Sequence, residues 1–237
     1  MNQFSPSRKS HAPGSKQAFE FTIKSEHRSR VRQRLLEAAG EVFADRGYTK
    51  ATIRQICRRA GANVAAIKYY FGDKERLYRE VINHWAEISL EKYPPDLTLT
   101  GDATAEERLG AFVRSFLFRL LDNSQPGWHG KLMAREMTEP TQALIDLIDA
   151  VYRPLTERLE TIVRELIGPP ATVEITRRCT QSVLGQCTFY RHARPVIQRM
   201  TPEQRFESDD IEQLAKHITE FSLDGIRRMT GRQEGSA

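Results

Sequence analysis

Cysteine is scarce in this chain. Only Cys57, Cys179 and Cys187 occur among 237 residues, and no two are spaced CxxC. An odd, scattered set excludes a disulfide framework and a thiolate metal site, and it predicts small buried thiols in a reducing compartment. Long apolar runs are missing too. The opening residues hold no apolar core of signal-peptide length, and the longest uncharged run in an expected helix, Cys179 to Tyr190, has 12 residues. A membrane span needs ~20. These absences predict a cytoplasmic protein with no membrane partner. No stretch alternates apolar and polar residues long enough for a strand, and there is no internal repeat. GxSxG, Gly-rich phosphate loops and metal-binding helix motifs are absent, and His192 stands five residues from Cys187, poor spacing for a shared ion. No enzymatic activity, cofactor or metal is therefore expected.

What is present is charge, unevenly spread. Residues 1–29 carry 5 Lys/Arg against 2 Asp/Glu, residues 30–93 carry 13 against 8, and residues 94–237 carry 18 against 21. A basic front on an acidic body predicts a polyanionic partner for the front end. A general DNA-compacting protein would be basic throughout, and this one is not.

Residues 1–29, rich in Ser, Pro, Gly and Lys without a hydrophobic period, are expected to form a disordered basic tail. Helices follow. Val31, Leu35, Ala38, Ala39 and Val42 recur at helical spacing up to Gly47. Thr52 with Gln55 makes a capping box for a short helix that stops at Gly61. Asn63 caps another through Phe71, and Asp73 caps a long one that ends at Pro94-Pro95. After a loop, Thr104 with Glu107 opens a helix carrying Phe112, Phe116 and Leu120. A helix near 132–137 comes next, then a long one to Gly168 that Pro154 should kink. The last two are expected at about 173–194 and 208–230. The fold class is all-α: an N-terminal three-helix helix-turn-helix domain over 30–93 with its connecting helix, and a C-terminal helical domain over 104–231.

The stretch GANVAAIKYYFGDKE at 61–75 carries the functional signal. Three adjacent large rings cannot share one helix face, so packing alone does not explain them. Two short helices around a Gly-containing turn make a helix-turn-helix whose second member enters the major groove. Small Val64, Ala65 and Ala66 let the helix start sit deep against thymine methyls. Lys68, Tyr69 and Tyr70 face bases and phosphates, Phe71 anchors the helix inside, and Lys74 clamps a phosphate beside free N–H groups. Thr52, Arg54 and Asn63 complete the expected DNA contacts. Arg28, Arg30, Arg32 and Arg34 read equally as a solvated run or as a DNA-contacting arm.

The segment TIRQICRRAGANVAAIKYYFGDKERLY at 52–78 resembles the TetR family of transcriptional regulators, with the likeness extending over about 31–80. Lys68 departs from the Tyr more common there, which points to a base contact. HGKLMAREMTEPT at 129–141 and VLGQCTFYRHARPVI at 183–197 are similar to the CecR-type branch. The resemblance implies a homodimer that binds a double-stranded DNA operator, is released by a small-molecule effector, and acts as a repressor, with 104–231 as its ligand-binding and dimerisation domain. A dual or ligand-independent regulator is the alternative. His129, Arg135 and Glu136 are candidate polar groups of the effector site, or else interhelical salt bridges. Phe112, Phe116, Trp128, Tyr152, Phe189 and Tyr190 are candidate aromatic lining, or else core. The dimer interface is expected on the two last helices, with Leu214 and Ile218 in its apolar stripe.

Overall fold

The computed structural model describes residues 14–96, 99, 101–123, 127–169 and 171–231, with side chains from residue 28 to residue 229. Among the described residues there is no strand, as expected from the missing alternation. The order is α1 (Gly14–Lys50), α2 (Ile53–Ala60), α3 (Val64–Tyr70), α4 (Lys74–Lys92), α5 (Ala105–Leu121), α6 (Gly127–Thr138) and α7 (Gln142–Leu147). A π-helical turn (Ile148–Tyr152) then leads to α8 (Arg153–Ile167), α9 (Val173–Met200) and α10 (Ser208–Gly231). The chain divides into two compact units, residues 1–78 and 79–237.

Residues 1–13 of the expected tail lie outside the described residues. Residues 14–29 depart from expectation, because α1 already starts at Gly14. The prolines and glycine of the tail stop at Pro13 and Gly14, and the next 25 residues are free of both. Lys, Gln, Ala, Glu and Arg then sustain a helix on propensity, without needing an apolar face.

In the first unit, Leu35, Ala39, Phe43, Ile56, Ile67, Phe71 and Leu77 are buried together with Tyr78. The Phe43 ring meets Tyr78 edge-on at 4.7 Å. Thr52 and Gln55 form the anticipated reciprocal cap: each side chain accepts the other's backbone N–H. Gly61 closes α2 at φ 60°, ψ 40°, a left-handed conformation that glycine adopts without the Cβ clash other residues meet. Asn63 then caps α3 by accepting the Ala65 N–H at 3.0 Å. The turn is only as long as these two caps require, so the angle between α2 and α3 is locally determined.

In the second unit, α5, α8, α9 and α10 share one core around Leu109, Phe112, Leu117, Leu159, Val163, Val183 and Cys187. All three thiols are buried and free of disulfides, and burial pushes the Cys187 thiol up to about 12. The long helix expected before Gly168 is interrupted at Ile148–Tyr152, where the Arg153 N–H reaches back to the Ile148 carbonyl in π register. Pro154, with no N–H to continue the ladder, stands just after that turn. At the end of the chain, α9 runs through Pro195 to Met200, beyond the expected stop.

The expected dimer stripe requires a correction. Ile218 and Ile211 are 1% exposed and Leu214 8%, all within the second unit's own core. Their helix packs that face on α5, whose Leu and Phe residues need a cover, so the stripe is consumed inside one subunit. The apolar surface left outside lies elsewhere: Phe189, Val196 and Met200 on α9, Phe221 and Met229 on α10.

Candidate nucleic-acid interface and effector site

The side chains of α3 separate cleanly by face. Val64, Ala65, Lys68 and Tyr69 are exposed, while Ile67 and Phe71 are buried. At 100° per residue the exposed four fall within an arc of about 140°, and buried Ile67 lies outside it, while Phe71 follows the helix as its C-cap. Tyr69 is 68% exposed, a large ring with no core to fill. Tyr70 and Ala66 are half-buried at the boundary, and Tyr70 meets Tyr69 edge-on at 4.9 Å. Thr52, Arg54 and Asn63 are not buried either, and Thr52 and Asn63 are already engaged as helix caps.

Lys74 sits differently from the expected phosphate clamp. Its Nζ donates to the Thr49 carbonyl at 3.4 Å and lies 4.6 Å from the Tyr48 ring centre. Burial lowers its pKa. Asp73 caps α4 by accepting the Arg76 N–H at 2.8 Å. The ammonium therefore ties α4 to the end of α1.

Within the second unit, Trp85, Trp128 and His129 form an aromatic group. Trp85 is 5.1 Å from Trp128 and 5.7 Å from His129 between ring centres. Burial, with a smaller contribution from the Arg191 cation, depresses the His129 imidazole to about 4. Neutral His129 can then donate or accept, but carries no charge. The Arg191 guanidinium lies against Gly130, where any Cβ would collide with it. The guanidinium is the far end of a flexible side chain, so a Cβ at this position would displace it rather than be excluded by it.

The other candidates scatter. Phe112 is a core residue, and Phe116 packs beside it at 6.1 Å. Buried Glu136 accepts the Thr141 N–H at 3.1 Å and its hydroxyl at 3.0 Å, which shapes the corner between α6 and α7. Arg135 is half-buried on the same helix. Phe189 is 56% exposed beside a shallow groove of about 330 Å³ with Gln186, Tyr190 and His217, whereas Tyr190 leans on buried Phe206. Tyr152 is half-buried; burial raises its phenol pKa, and the nearby Arg119 cation works against that rise.

Arg119, Arg191 and Trp85 were not singled out by sequence reasoning. Arg119 left a readable signal, since it follows Phe112 and Phe116 at helical spacing and so places a cation on an apolar face.

Residues 35–81 match the family model for bacterial regulatory proteins of the tetR family, and residues 105–226 match that for the C-terminal domain of the HTH-type transcriptional dual regulator CecR. The chain belongs to the TetR family of transcriptional regulators. This TetR-family chain is 27% identical to CecR of Shigella flexneri over 206 residues, covering 84% of this chain and 91% of that one. It is 28% identical to the transcriptional repressor NicS of Pseudomonas putida, covering 87% and 97%. The solved structure of FadR from Bacillus subtilis, in complex with stearoyl-CoA, shares the fold at TM-score 0.59 and 19% identity, covering 81% and 98%. The TetR-family protein is a DNA-binding transcriptional regulator. Among the described residues, no group of His, Cys, Asp and Glu is placed to hold a metal ion, and no helix is long and apolar enough to cross a membrane.

Proposed function

We propose that this regulator is a cytoplasmic, homodimeric repressor that binds a double-stranded operator and leaves it when a small molecule occupies the second unit. The observation that carries the DNA reading is the one-sided exposure of α3. Val64 and Ala65 offer methyl groups to bases, Lys68 and Tyr69 offer a cation and a phenol to bases or phosphates, and Arg54 adds charge from α2. Lys74 serves chiefly as an internal tie between the start of α4 and the end of α1.

One such head reads too few base pairs to find an operator, so two are needed. The exposed stripe Phe189, Val196 and Met200 on α9, with His217 and Phe221 on α10, supports self-association through these helices. Gly185 and Gly225 belong to the same two helices, and a Cβ added at either would meet nothing within 4 Å, so a second copy can approach closely there. The name of the relative CecR favours a second reading, in which some targets are activated. A compound screen for operator release, read by fluorescence anisotropy alongside sedimentation, tests the proposal. A dimer whose operator complex dissociates on adding a compound supports it; a monomer, or a complex that no compound alters, contradicts it.

A further inference from the structure

The end of α4 is fastened to α5 by a polar cluster. The Ser115 hydroxyl donates to the Tyr93 carbonyl at 2.7 Å, and Arg119 Nη1 donates to the same carbonyl and to Ser115 Oγ, each at 2.9 Å. The Tyr93 hydroxyl and Lys92 Nζ both donate to Asp122 at 2.7 Å. The other arm of Arg119 is unsatisfied: Nη2 is buried and has no hydrogen-bond partner among the described residues. Its guanidinium lies 5.7 Å from the Phe116 ring centre.

A half-buried cation whose Nη1 donates only to neutral oxygens and whose buried Nη2 has no partner among the described residues is a costly arrangement. Burial pulls the Arg119 pKa down to about 10, and the opposing influence comes from the Tyr152 phenol rather than from a carboxylate. A guanidinium keeps its charge at neutral pH even so. Its buried Nη2 carries N–H donors with no partner among the described residues, and an acidic group is the complement of such donors. Phe116 and Tyr152 make the neighbourhood aromatic, which suits an acid with an apolar body.

We propose that Arg119 seats the acidic group of an anionic small-molecule effector and links it to the end of α4 that the same guanidinium holds. The inference rests on the reading that the second unit binds an effector. An anion at Nη2 turns the guanidinium toward itself and weakens its bond to the Tyr93 carbonyl. Because the anion binds the loosened arrangement better than the fastened one, it shifts the population of α4. Free carboxylates and phosphate monoesters share the required chemistry.

The test uses the full chain and matched probes: benzoate with benzamide, decanoate with decanamide, and phenyl phosphate with phenol. Thermal shift reads binding and anisotropy reads operator affinity. At least one anion should raise the melting temperature and weaken operator binding tenfold or more, while its neutral partner does neither; the pair that responds separates carboxylate from phosphate. Arg119→Gln should weaken that anion about 10- to 100-fold. Tyr152→Phe keeps the ring and should lower affinity by a smaller factor, and it decides the matter if Arg119→Gln fails to fold. Binding by no anion of the panel, or anion binding unchanged in both variants, overturns the proposal. Arg119-dependent binding that leaves operator affinity unchanged overturns the link to α4. Operator release by neutral compounds alone overturns the anion assignment and leaves the ligand-responsive reading standing.

Discussion

His129 makes the stability of the second unit depend on pH in a way that a single substitution removes. Folded, the imidazole is held neutral, down from its ordinary 6.5 to about 4, by burial and then by the Arg191 cation. In the unfolded chain it protonates below 6.5. The unfolded state therefore binds the extra proton first, and stability falls as pH drops from about 6.5 to about 4, then falls no further on this account. Each tenfold change in proton affinity is worth about 1.4 kcal/mol. The full depression thus removes about 3 kcal/mol, of which about 2 kcal/mol is gone by pH 5. His129→Gln keeps a polar side chain of similar length without the titration. Urea unfolding followed by tryptophan fluorescence reads the site directly, because Trp85 and Trp128, the two tryptophans of the chain, both stand beside the His129 ring. Carboxylates titrate in both proteins, so the difference between wild type and variant isolates the histidine. That difference should shift by about 3 kcal/mol between pH 7 and pH 4. If it stays flat across this range, His129 is not held neutral by its surroundings and the packing described around Arg191 is wrong.

Gly61→Val should destabilise the first unit by about 1–2 kcal/mol in thermal or denaturant unfolding, since valine must adopt the left-handed turn at φ 60°. Lys74→Ala should lower stability by about 1 kcal/mol through loss of the Thr49 bond and the Tyr48 contact. It should leave the slope of operator affinity against salt nearly unchanged; a slope reduced by about one would restore a direct phosphate contact. Paired Phe189→Asp and Phe221→Asp changes should yield a folded monomer by sedimentation, whereas Leu214→Asp should unfold the second unit by burying a charge. A folded monomeric Leu214→Asp variant would reverse that assignment.

The helix-turn-helix was legible because its signals are local. Thr52, Gln55, Gly61 and Asn63 act within a few residues of themselves, and tertiary packing had little to override. The alternation of exposed and buried positions on α3 likewise follows from one helical period. Elsewhere the period told that a face is apolar without telling what covers it. Leu214 and Ile218 could pair with a second copy or with α5, and only the three-dimensional packing decides between them. Lys74 illustrates the same limit for charge, since its partner is a backbone carbonyl 25 residues earlier, which no side-chain pattern announces. The candidate effector site was the least legible part. Arg119, Arg191 and Trp85 come from three different helices, and apart from the helical spacing of Arg119 behind Phe112 and Phe116, their surroundings emerge only from three-dimensional packing.

Selection of bound duplexes from a random DNA pool tests the central claim most directly. Two α3 heads related by a two-fold axis should enrich an inverted repeat, with half-sites about one helical turn apart (~34–36 Å) or further. Replacing Lys68 or Tyr69 by Ala should change which bases are enriched within each half-site. A pool that shows no sequence enrichment, or an enriched site indifferent to both substitutions, would contradict the assignment of α3 as the DNA-reading helix.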